Sequence, residues 1–148
     1  MNNYMKIEIK ALLENVACVR VAITSFVSNL KITIDELMDI KTAVSEAVTN
    51  AIEHAYLENK EEEIVIVSAY ILQEEEDIVK IEVQDKGIGI EDIELALTPA
   101  YTSKPELEHA GMGFTIMESF MDEILIDSDK ESGTKVTLQK RIKKKKSS

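Results

Sequence analysis

Two β-branched runs, IVIVSAYIL at 64–72 and IVKIEV at 78–83, stand only QEEED apart. Both are bounded by charge and rich in residues that suit a pleated, half-buried surface, so they predict an antiparallel hairpin. A lone hairpin is marginal in water and must bury a face against something else. The rest of the chain offers that cover. Val16, Val19, Ile23, Phe26, Val27 and Leu30 recur at helical spacing and predict a helix over 14–30, with Arg20 at the edge of its apolar stripe. Leu37, Ile40, Val44, Val48, Ala51 and Ile52 predict a second helix through about 54, and the polar run LENKEEE at 57–63 ends it. Thr33 and Glu36 have the spacing of a capping box at its start.

The remaining segments fit the same scheme. KIEIKAL at 6–12 alternates with period two and reads as a strand. GMGF at 111–114 opens a third helix, with Phe114, Met117 and Met121 on its core face. EILIDS at 123–128 and GTKVTLQKR at 133–141 are two further strands. Residues 91–97 suit a short helix. Residues 98–110, which hold both prolines, suit a long loop of the kind that is often functional. Helices and strands are mixed without strict alternation. The expected fold class is therefore an α/β (α+β) two-layer sandwich, with helices on one face of a mixed, largely antiparallel sheet.

With 148 residues the chain suits one domain, expected over 1–140, followed by a basic disordered tail at 141–148. The net charge of −11 disfavours direct binding of nucleic acid. No run approaches the ~20 apolar residues of a membrane span, and the N-terminus lacks a signal-peptide layout. A cytoplasmic protein is expected. The single cysteine, Cys18, excludes an intrachain disulfide and is expected to be a small buried hydrophobe.

The second helix carries an odd polar row. In TAVSEAVTNAIEHAY at 42–56, Glu46, Asn50 and His54 are each four residues apart and so lie on adjacent turns of one face. Ala43, Ala47 and Ala51 flank them, as if to leave clearance for a ligand. By itself the row reads equally as a solvated face. Four of the five glycines then fall in Gly-x-Gly pairs: Gly87 and Gly89 in DKGIG after a strand, Gly111 and Gly113 at a helix start. Glycine admits close backbone approach to a ligand, and a helix N-terminus suits phosphate.

The ordered set Glu46-x-x-x-Asn50, Asp85-x-Gly87-x-Gly89, Gly111-x-Gly113 and Gly133-Thr134 resembles the nucleotide-binding signature of the Bergerat-fold ATPases. DNA gyrase, histidine kinases, mismatch-repair ATPases and a heat-shock chaperone share that fold. The resemblance covers essentially the whole chain. SEAVTNAIEHAY and TPAYTSKPELEHAGMGFTIMESFMDE narrow it to the serine kinases of the sporulation anti-sigma group. Histidine kinases carry an acceptor-histidine helix pair before this domain, for which the residues before 6 leave no room.

The resemblance implies ATP and Mg²⁺ as cofactors and assigns roles to residues. Asn50 would ligate Mg²⁺, and Asp85 would accept from the adenine amino group. Thr134 would support the adenine edge, and Gly87 and Gly89 would let the backbone pass the base. Gly111, Met112 and Gly113 would start the phosphate-cradling helix. The loop from Thr98 to residue 110 would be a lid, with Lys104 a candidate for the γ-phosphate or simply an exposed lysine. Glu46 would be the general base. His54 is left open between the phosphate side and the helix's polar face. Arg20 would contact protein partners. The implied partners are a sporulation sigma factor and an anti-anti-sigma factor phosphorylated on serine, with the chain a homodimer. The alternatives are an anti-sigma kinase of the stress-response type and a stand-alone histidine-kinase-like ATP-binding domain.

Overall fold

The computed structural model describes residues 2–55, 63–86, 113–129 and 133–143. Its elements run β1 (Asn3–Lys10), a 3₁₀ turn (Leu13–Asn15), α1 (Val16–Val27), α2 (Ile34–Asn50), a π-helical turn (Ala51–Ala55), β2 (Ile64–Gln73), β3 (Asp77–Asp85), α3 (Gly113–Phe120), β4 (Glu123–Asp129) and β5 (Gly133–Ile142). The strands form one sheet in the order β1-β2-β3-β5-β4. Every neighbouring pair is antiparallel. This is the expected two-layer α/β sandwich.

Strand alternation decides which face the helices cover. Val65, Val67, Ala69 and Ile71 on β2 are buried, as are Val79, Ile81 and Val83 on β3. Their register partners on β5, Val136 opposite Val83 and Leu138 opposite Ile81, are buried too. Against this sheet face lie Val19, Ile23 and Val27 of α1 and Ile40, Val44 and Val48 of α2, all in one apolar cluster. Burying each such side chain contributes roughly 1.5–3 kcal/mol.

The start of α2 is closed by its own residues. The Glu36 N–H donates to Thr33 Oγ1 at 3.1 Å, and the Thr33 N–H donates to Glu36 Oε1 at 3.0 Å. The expected capping box is present. Close by, the Lys140 ammonium donates to the Phe120 carbonyl at 2.8 Å and pairs with Asp39 at 3.5 Å. One cation thus ties the C-terminus of α3 to α2 and β5, where the helix dipole favours positive charge.

Three expectations need correction. Cys18 is exposed, not buried. It lies 100° round the helix from Val19 and falls off the stripe formed by Val16, Val19, Ile23 and Phe26. The basic tail does not begin at 141: Arg141 and Ile142 belong to β5, and the Ile142 side chain is fully buried in the core. Finally, Ala43, Ala47 and Ala51 belong to the buried core. Their small side chains serve the close packing of α2 against its neighbours rather than clearance for a ligand.

Candidate nucleotide site

Three elements end where the ordered motif places its polar residues. Asn50 is the last residue of α2, Asp85 the last of β3, and Thr134 the second of β5. The π-helical turn that continues from Asn50 packs against both β3 and β5. π turns are rare and recur at functional sites.

Asp85 is 4% exposed and accepts a hydrogen bond from the Thr134 N–H at 3.2 Å. The Thr134 hydroxyl is 2.9 Å from that of Ser128 on β4. A buried carboxylate needs such donors, because burial otherwise penalises its charge. Gly133 makes the arrangement possible. It sits at φ +85, and a Cβ there would lie 2.3 Å from the Asp85 carbonyl oxygen and 2.7 Å from the Lys86 Cα. Only glycine lets β5 come this close to the end of β3.

Asn50 is treated differently. It is 9% exposed, and neither its Oδ1 nor its Nδ2 has a hydrogen-bond partner among the described residues. Buried amides are nearly always satisfied, so an orphan of this kind calls for a reason. An amide oxygen is a suitable hard ligand for Mg²⁺, which takes few protein groups and keeps several waters or phosphate oxygens. The donor chemistry of Asn50 therefore fits the expected metal. Glu46, one turn earlier on α2, is half-buried.

Comparisons with known proteins place the chain in a family. Residues 9–140 match the model of the histidine kinase-like ATPase domain. The chain is 54% identical over 141 residues to an anti-sigma F factor of Clostridium beijerinckii, covering 95% of this chain and 96% of that protein. The chain belongs to the anti-sigma F family of histidine kinase-like ATPases. An anti-sigma F factor of Bacillus velezensis is 49% identical over 146 residues, covering 99% of this chain and 97% of that one. The fold of this family member is also that of a crystal structure of RsbU and RsbW domains from Mycobacterium tuberculosis, with a TM-score of 0.66 at 20% identity. That match covers 95% of this chain and 32% of the longer one.

Of the site residues expected from sequence, the structure joins Asp85 to Thr134 and sets Glu46 and Asn50 on successive turns of α2. The α-helical row reaches Asn50 only, since His54 falls in the π turn. Gly113 opens α3 as expected. Gly87, Gly89, Thr98, Lys104, Gly111 and Met112 lie outside the described residues, as do the expected helix at 91–97 and the expected lid. Arg20 lies on α1 and donates from Nε to the Ser45 hydroxyl on α2 at 2.8 Å. Sequence reasoning missed Ser45, which has no signature beyond being a polar residue in a helix interior. It also missed Glu53, which is buried at 9% within the π turn. Among the described residues no helix is long and apolar enough to cross a membrane.

Proposed function

We propose that this chain is an anti-sigma factor and an ATP-dependent protein serine kinase. In this reading a cytoplasmic homodimer holds a sporulation sigma factor away from RNA polymerase and phosphorylates the anti-anti-sigma antagonist on serine. The observation that carries the reading is the 54% identity to an anti-sigma F factor over 95% of the chain. The unpartnered Asn50 amide and the donor-supported Asp85 carboxylate support a nucleotide site.

Mg²⁺-bound ATP, when present, supplies the phosphoryl group and the charge neutralisation on which such transfers depend. The chain's own residues bind and orient. Asn50 Oδ1 would offer an oxygen to the metal. Asp85 would accept from the exocyclic amino group of adenine, with Thr134 beside it. The backbone N–H groups at the start of α3 would hold phosphate. Glu46 takes the proton of the serine hydroxyl, and Arg20 contacts the protein partners. The acidic body steers toward the basic surfaces of a sigma factor.

Incubation with labelled ATP and the two candidate partners tests this. Acid-stable phosphoserine on the small antagonist is expected. No transfer would leave a binding module that uses ATP as a structural ligand, and acid-labile phosphohistidine would point to a histidine-kinase-like domain. Glu46→Gln should retain ATP binding and lose transfer by roughly 10²–10⁴-fold, the usual scale for a general base. Unchanged phosphorylation in that variant would remove Glu46 from the role.

A further inference from the structure

Arg20 is half-buried on α1, and its Nε–H donates to Ser45 Oγ at 2.8 Å. The Ser45 hydroxyl in turn donates to the Lys41 carbonyl at 2.7 Å. Its proton is thereby committed to its own helix, and a lone pair is left for the guanidinium. Arginine has N–H donors on three nitrogens in a rigid fork. Among the described residues neither Nη group of Arg20 has a partner, and no carboxylate pairs with it. The next residue along α1, Val21, is 68% exposed. Arginine is among the residues enriched at the energetic centres of protein interfaces.

We propose that Ser45 is a positioning residue for partner recognition. It holds Arg20 through Nε, so that the Nη edge stands as a preorganised two-pronged donor for a carboxylate on the protein partner. The bond crosses from α1 to α2, and it sets the fork relative to both helices before any partner arrives. Bidentate pairing of this kind is geometrically selective, and prior ordering of the long side chain removes part of the cost of binding. The proposal rests on the reading of Arg20 as a partner contact.

A double-mutant cycle on the full chain tests it, with labelled sigma F from the same host as the probe and affinity as the readout. Ser45→Ala should weaken binding by roughly three- to tenfold. Ser45→Thr, which keeps the hydroxyl, should restore most of that. In an Arg20→Ala background, Ser45→Ala should cost nothing more. A serine that merely packs the two helices would cost the same in both backgrounds, and that result would overturn the proposal. So would wild-type affinity in Ser45→Ala when Arg20→Ala is weakened. If Arg20→Ala itself binds normally, the reading of Arg20 as a partner contact falls, and the proposal with it.

Discussion

The ends of β3 and α2 each bury a polar side chain, and the fold treats the two in opposite ways. At the end of β3 the Asp85 carboxylate receives the Thr134 N–H, and Gly133 is there so that β5 can come close enough to deliver it. At the end of α2 the Asn50 amide is also buried, yet both its polar atoms are orphaned among the described residues. The first group is organised by the protein before any ligand binds. The second is held at a cost of about 1–3 kcal/mol, which a ligand that coordinates it would relieve. The lesson is that burial alone does not tell structural from functional polarity. The partners do.

Substitutions can break the comparison at either end. The largest effect is expected at Gly133. A valine there must adopt a positive φ and overlap the Asp85 backbone, costing about 3 kcal/mol or more. Urea denaturation should show that loss, and nucleotide affinity should fall with it. Near-normal stability would mean that the close approach of β5 to β3 is not required. Asp85→Asn is milder and separates binding from folding. Its amide oxygen can still accept from Thr134, so the melt should barely move. Nucleotide affinity should drop by roughly 10–100-fold, the worth of one charge-assisted hydrogen bond. An unaltered nucleotide titration would take Asp85 out of the site. The smallest change is expected at the far end of α2. Thr33→Ala removes the capping box and should cost about 1 kcal/mol of stability, with affinity for nucleotide kept. A larger loss of affinity than of stability would show that the start of α2 reaches the site.

Much of the fold was legible because local chemistry and global packing agree. The alternation in β2 and β3 marks the buried face residue by residue, and Thr33 and Glu36 announce the start of α2 without tertiary context. The core positions Met117 and Met121 were likewise given by helical spacing. What was not legible depends on neighbours far away in sequence. Spacing placed Ala43, Ala47 and Ala51 next to the polar row, but only the packed sheet and helices decide that they lie in the core. Apolar surroundings in sequence misplaced Cys18, because a single step of 100° carries it to solvent. The charge of RIKKKK concealed Ile142, whose burial extends β5. In the site, the motif named Asp85 and Thr134 separately. Their hydrogen bond, and the glycine that permits it, follow from a strand pairing across 49 residues of chain. Nothing local marks Asn50 as unpartnered. Its orphaned state emerges only when every neighbour is in place.

In the proposed reading Asn50 is kept polar for a ligand and not for the fold. Asn50→Leu separates the two, since leucine has a similar branched shape without the polar atoms. Two quantities should be measured on the same preparation: stability without ligand, by urea denaturation, and ATP affinity with and without Mg²⁺. Stability should equal the wild type or rise by about 1 kcal/mol, because a buried orphan is removed. The Mg²⁺-dependent part of ATP affinity should disappear. A protein destabilised by more than about 1 kcal/mol, with its Mg²⁺-dependent ATP binding intact, would contradict that reading.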